Sequence, residues 1–158
     1  MIDSSPGRPL LPETCLRFRE KARIISDWNA QQYDTFATPR QQAAQDLLAA
    51  VPHVSAKAIT DLGCGSGLST ALLAHRWPGA SITGIDQSPD MLAAAAERVP
   101  SALFRQEDIA RFTAHNAQDL VFANASLHWL PNHQQLFPAL VNQLSPKGVL
   151  AVQMPNTL

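Results

Sequence analysis

Charge is scarce in this chain: 16% of its 158 residues are charged, and 12 lysines and arginines stand against 13 aspartates and glutamates, for a net charge of -1. No basic field is present to gather a polyanion, so nucleic acid is not an expected partner. Cysteine is nearly absent. Cys15 and Cys64 lie far apart, with no CxxC spacing and no histidine cluster beside them. That pattern argues against a disulfide framework and against a metal site, and fits a reducing, cytoplasmic setting. No apolar run approaches the roughly 18 residues that cross a bilayer, and the N-terminus has no continuous signal-like stretch, so no membrane partner is expected.

What the chain does have is 46% hydrophobic residues, enough for one core and one domain. The composition shifts near Ile25. Residues 1–24 carry five basic side chains, three acidic ones and the interruptions Pro6, Pro9 and Pro12, whereas the rest is net acidic. The first 24 residues are therefore expected to be a disordered tail, and 25–158 the folded domain.

Along that domain, strands and helices alternate. Thr38 and Pro39 open a helix that carries Ala43, Ala44, Leu47, Leu48 and Val51 at helical spacing. Lys57 to Leu62 reads as a strand that runs into a glycine cluster, and a helix follows over 68–76. A second unit repeats the pattern, with a strand from Ser81 ending in Asp86 and a helix opened by Ser88-Pro89-Asp90. Residues 102–106 and 119–123 read as the third and fourth strands, the latter almost wholly apolar as in the middle of a parallel sheet. Leu136, Leu140, Val141 and Leu144 mark a last helix, Ser145-Pro146-Lys147-Gly148 a turn, and Val149 to Met154 a final strand. This pitch predicts an α/β fold: an open parallel sheet of about five strands in the order 3-2-1-4-5, with helices on both faces. A ligand then belongs at the C-terminal ends of the strands, beside the first one.

The residues at that edge carry the chemistry. In Asp61-Leu62-Gly63-Cys64-Gly65-Ser66-Gly67 the glycines permit tight turning and close ligand approach, with several backbone N–H groups expected to face the ligand. The spacing is GxGxG, with Leu68 where a dinucleotide fingerprint has its third glycine. Asp61 suits an ammonium group or the organisation of the loop, and is awkward beside a pyrophosphate. The pattern thus favours a cofactor with an amino group and no phosphates over a nicotinamide dinucleotide. Asp86, 19 residues beyond Gly67, stands where a carboxylate accepts ribose hydroxyls, with Gln87 next to it. Asp108 and Ile109 suit the amino group and ring of an adenine.

The string Asp61 to Gly67, with Asp86 and the Asp108-Ile109 pair, resembles the class I S-adenosylmethionine-dependent methyltransferases, a Rossmann-like family. Residues 26–29, 82–86, 122–131 and 148–155 resemble, more narrowly, the trans-aconitate 2-methyltransferase family. The resemblance implies S-adenosylmethionine as cofactor, with Asp61, Gly63, Cys64, Gly65 and Gly67 around its methionine part, Asn124 facing the sulfonium and the substrate, Asp86 and Gln87 at the ribose, and Asp108 and Ile109 at the adenine. It implies O-methylation of a small carboxylic acid, with trans-aconitate first and another carboxylate, such as a carrier-bound malonyl group, as the alternative.

On the substrate side the resemblance points to Trp28, Asn29, Tyr33, Arg40, His128 and Trp129, although Trp28, Tyr33 and Phe36 also read as the packing face of a helix and His128 as a packed histidine. Cys64 reads as a small packing residue. No catalytic residue is implied. The chain departs from the family at Gln42 and Ala43, where a second arginine and a proline are expected, so one anion contact is in doubt. It also stops at Leu158, before the family's final two strands. On that reading Val149 to Met154 becomes an exposed edge open to self-association, and an inactive cofactor-binding fragment stands as a further alternative.

Overall fold

A computed structural model of the chain describes residues 23–26, 38–52 and 55–154. Among these, β1 (Arg23–Ser26) leads to α1 (Pro39–Ala50), then β2 (Ala58–Leu62), α2 (Leu68–Arg76), β3 (Ser81–Asp86), α3 (Pro89–Arg98), β4 (Leu103–Gln106), β5 (Gln118–Asn124), α4 (His133–Val141) and β6 (Leu144–Gln153). Short 3-10 turns at Ile109–Arg111 and Leu127–Trp129 flank β5.

Local signals set most of these boundaries. Thr38 caps α1 through a reciprocal box: its hydroxyl accepts from the Gln41 N–H at 3.1 Å, and Gln41 Oε1 accepts from the Thr38 N–H at 3.0 Å. Arg76 closes the other end of α1, donating to the carbonyls of Leu48, Val51 and Pro52 while its guanidinium stacks on Trp77. Ser88 caps α3 by accepting from the Met91 N–H, and Pro89 fills its first turn.

The sheet runs β1-β6-β5-β2-β3-β4, and every neighbouring pair is parallel. Read from β4, the first five strands reproduce the expected order 3-2-1-4-5. Alternation along the strands divides the core in two. Leu62, Ile85, Val121, Ala123, Leu150 and Val152 face Phe137, Leu140 and Val141 of α4, whereas Ile59, Ile82, Leu120, Phe122, Val149 and Ala151 face Leu47 and Val51 of the α1 region and Leu73 and Trp77 beside α2. Each fully buried side chain of this size stabilises the fold by about 1.5–3 kcal/mol relative to exposure. Because β2 lies between β3 and β5, successive crossovers leave in opposite directions at its C-terminal end, opening a crevice there.

Two expectations change. Leu144 does not continue the last helix: α4 stops at Val141, and Leu144 starts β6 opposite Gln118. The 145–148 turn lies within β6 as an irregularity, since Gln118 pairs with Leu144 and Leu120 with Val149. The outer side of β6 is also not an open edge over 149–152. There β1 pairs with it in parallel, Arg23 with Val149 through Ser26 with Val152, so Arg23 and Ile24 belong to the sheet. The remainder of the expected tail, residues 1–22, lies outside the described residues.

Candidate functional site

The glycine loop follows β2, and its conformation demands the residues it has. Gly63, Gly65 and Gly67 all have positive φ, at 71°, 55° and 90°. At Gly63 a Cβ would lie 2.4 Å from Ser126 Cβ and 3.4 Å from Ile109 Cδ1, so the loop, the segment after β5 and the turn after β4 converge at this point. At Gly65, by contrast, no described residue lies within 4 Å of where a Cβ would sit. Among the described residues, the crest of the loop is open.

The loop's own donors are turned inward. The N–H groups of Gly63 and Cys64 donate to the Ile85 carbonyl at 2.7 and 3.0 Å, that of Gly67 to the Cys64 carbonyl at 3.1 Å, and that of Gly65 to Asp86 Oδ2 at 3.0 Å. The expectation that several of these N–H groups face a ligand is thus corrected. A loop with its amides spent in this way makes a poor phosphate cradle, which accords with the argument against a pyrophosphate.

Asp61 is fully buried, and its Oδ2 accepts from Ser69 Oγ and Thr70 Oγ1, both at 2.7 Å. Of its two expected uses, organising the loop is the one these bonds perform, since they tie the end of β2 to the first turn of α2. Cys64 packs beneath the loop, and Gly84 makes room for it: a Cβ there would lie 3.0 Å from Cys64 Sγ and 2.6 Å from the Phe104 ring. Burial first, then the nearby charges of Asp61 and Asp86, push the Cys64 thiol well above its ordinary range. It is an inert packing residue, not a nucleophile.

Asp86, at the end of β3, accepts from the Gly65 N–H through Oδ2 and from the Ser88 N–H through Oδ1 at 2.9 Å. Each oxygen retains accepting capacity. Gln87 is exposed beside it, with its carbonyl held by Gln106 Nε2. Asp108 Oδ1 accepts from the Ala110 N–H at 3.0 Å and so fixes the turn that carries Ile109 against the loop. Asn124 ends β5 and is buried. The structure therefore brings Asp61, Gly63, Cys64, Gly65, Gly67, Asp86, Gln87, Asp108, Ile109 and Asn124 to one edge of the sheet.

The substrate-side residues divide differently. His128 and Trp129 lie in the turn after β5 with their rings 4.4 Å apart, and Trp129 is 80% exposed. Arg40 lies in α1. Trp28, Asn29 and Tyr33 fall outside the described residues, as does Phe36.

Sequence reasoning missed several contributors. Ser126 Oγ donates to the Leu62 carbonyl at 2.8 Å, Arg98 Nε donates to the Ser66 carbonyl at 3.1 Å, and Ala125 holds φ 54°, a strained value for an alanine. Ser69 and Thr70 carried a faint signal, two hydroxyls just inside a helix that follows a buried acid. Ser126 lay within the 122–131 segment that carries the resemblance, but nothing there tied it to the glycine loop. Among the described residues, no three His, Cys, Asp or Glu side chains group to hold a metal ion, and no helix is long and apolar enough to cross a membrane.

Comparison with known proteins adds a family and a fold. Residues 60–152 match the methyltransferase domain family. A trans-aconitate 2-methyltransferase of Escherichia coli is 55% identical over 132 residues, which cover 84% of this chain and 52% of that protein. One from Escherichia fergusonii is 54% identical over the same shares. The chain thus spans about half the length of the curated relatives it matches. Among solved structures, an S-adenosylmethionine-bound amino pentose methyltransferase from Micromonospora echinaspora superposes with a TM-score of 0.57 at 27% identity, over 72% of this chain and 48% of that one. Coclaurine N-methyltransferase, solved with S-adenosylhomocysteine, reaches a TM-score of 0.67 at 15% identity over 79% and 39%, a likeness of fold alone.

Proposed function

The chain belongs to the methyltransferase domain family, and from that premise we propose that it binds S-adenosylmethionine and methylates a carboxylate of a small acid, with trans-aconitate as first candidate. The observation that carries this reading is the open crest over Gly65 beside the Asp86 carboxylate, at the C-terminal edge of a parallel sheet. The names of the relatives support the acid.

The residues present fit the cofactor. Asp86 is positioned to accept the ribose hydroxyls while it holds the loop, and Asp108 and Ile109 to hold the adenine. Asp61, Gly63, Cys64, Gly65, Gly67 and Asn124 line the methionine side, with Gln87 next to the ribose. When bound, S-adenosylmethionine supplies an electrophilic methyl group for in-line displacement.

A carboxylate acceptor with a pKa near 4 is already ionised at pH 7, so no side chain need take its proton. The chain's task is then to orient the acid against the reacting centre, and no general base is assigned. His128 and Trp129 form the rim on the acid's side, and Trp28, Asn29, Tyr33 and Arg40 are assigned to the same side. A cytoplasmic setting, without nucleic acid or membrane as partner, belongs to the same proposal.

The test is calorimetric titration with S-adenosylmethionine, followed by incubation with methyl-labelled cofactor and a panel of acids that includes malonyl thioesters. Cofactor binding and a labelled methyl ester on trans-aconitate are expected. Absence of cofactor binding refutes the site. Label on a malonyl group alone moves the substrate to the second acid class.

A further inference from the structure

Among the described residues, Gln118, Gln143 and Gln153 lie in or against the core, and the first two bond through both ends of the amide. Gln118, at the N-terminal end of β5, accepts from Thr60 Oγ1 at 2.8 Å and donates through Nε2 to the Asn116 carbonyl at 2.9 Å. Gln143 accepts from the Ala114 N–H and donates to the Phe112 carbonyl at 3.0 Å. These two amides serve the fold. Gln153 does not follow the pattern. It is 5% exposed, and among the described residues its Oε1 is buried without a hydrogen-bond partner. Buried amides are rarely left in this condition, because burial removes the water that would otherwise bond them.

Its position says what it awaits. Gln153 ends β6 opposite Asn124, and paired residues of parallel strands point to the same side. Alternation places both on the side of Phe122 and Ala151, and Asp61 pairs with Phe122 on that same side. Strands lie about 4.8 Å apart, so Gln153, two strands from β2, stands on the order of 10 Å from the glycine loop. On the methyltransferase reading above, that is beyond the methionine side of the cofactor site, on the side to which the acid is assigned.

We propose that Gln153 is a substrate-binding residue whose carboxamide holds an oxygen of the acid; the inference rests on the methyltransferase reading above. The two ends of an amide exchange by a half-turn, so the group presents N–H to a carboxylate oxygen as readily as it presents Oε1 to an O–H. Being uncharged, it selects by hydrogen-bond geometry without adding a cation to a site that has to approach a sulfonium.

The experiment titrates trans-aconitate into the full chain saturated with S-adenosylhomocysteine, for the unaltered protein and for Gln153→Leu and Gln153→Glu. Melting temperature reports folding, and Gln153→Met replaces the leucine variant if that one does not fold. Affinity for S-adenosylhomocysteine is expected to be the same in all, while acid affinity falls about tenfold or more in Gln153→Leu and further in Gln153→Glu, where two negative charges meet. Unchanged acid affinity in a folded variant overturns the inference and leaves the methyltransferase reading standing. An unaltered protein that binds S-adenosylhomocysteine but no acid overturns the substrate assignment and this inference with it.

Discussion

Asp86 Oδ2 accepts the Gly65 N–H at 3.0 Å, so the carboxylate assigned to the ribose also fixes the crest of the loop against which the cofactor would lie. With the Ser88 N–H on Oδ1, both functions pass through one side chain. Asp86→Ala therefore removes direct ligand acceptors and loosens the loop together. Loss of about two charged hydrogen bonds corresponds to a fall of roughly 100-fold in affinity for S-adenosylmethionine. Calorimetry on the variant checks this, and unchanged affinity removes Asp86 from the site.

Elements whose signals are local were readable from the chain. Thr38-Pro39 and Ser88-Pro89 start helices by capping chemistry that needs only neighbouring residues, and the GxGxG string with Asp86 marked the sheet edge proposed as the site. What escaped depends on contacts between distant segments. Leu144 has helical spacing relative to Leu140, yet pairing with Gln118 draws it into β6. Nothing local in Arg23–Ser26 announces a strand, because its partner lies more than a hundred residues away on β6. Ser126 and Gly63 explain each other only once the fold brings them together.

The placement of β1 carries a prediction about association. Removing residues 1–26 uncovers the outer backbone groups of Val149 to Val152, and an unpaired strand edge recruits another. Sedimentation of the shortened chain is expected to show concentration-dependent association that the full chain lacks. A shortened chain that stays monomeric at every concentration argues that pairing with β1 is not what protects this edge.

At the opposite end of the sheet, Asp119 ties three segments together. Its Oδ2 accepts from the N–H groups of Lys57 and Ala58 at 2.8 and 3.0 Å, and its Oδ1 from Ser145 Oγ at 2.9 Å. Burial raises its pKa, but the Lys57 N–H, the Ser145 hydroxyl, the Ala58 N–H and the Lys57 charge together outweigh it, holding the carboxyl below its ordinary 3.8. A folded pKa below the unfolded one means that this stabilisation is present above pH 3.8 and is lost as pH falls through the folded value. Asp119→Asn is expected to cost about 1 kcal/mol at pH 7 and to have a shallower loss of stability below pH 4. Urea midpoints of both proteins across pH 3–7 check it, and parallel curves exclude Asp119 as the source of the acid sensitivity.

Gly63 and Gly65 share a positive φ but differ in what surrounds them, and the difference separates fold from binding. At Gly63 an added methyl group meets Ser126 Cβ, and Ser126 cannot withdraw without giving up its bond to the Leu62 carbonyl. Overpacking there adds to the left-handed backbone cost, so Gly63→Ala is expected to destabilise by about 2–4 kcal/mol. At Gly65 the methyl group meets no described residue, and only the backbone cost of about 1–2 kcal/mol applies. The methyl group instead enters the space assigned to the cofactor, so Gly65→Ala is expected to remain folded while binding S-adenosylmethionine roughly tenfold or more weakly. Thermal melts beside calorimetric titrations read both effects. A folded Gly65→Ala variant with normal affinity shows that the open crest is not the face that meets the cofactor.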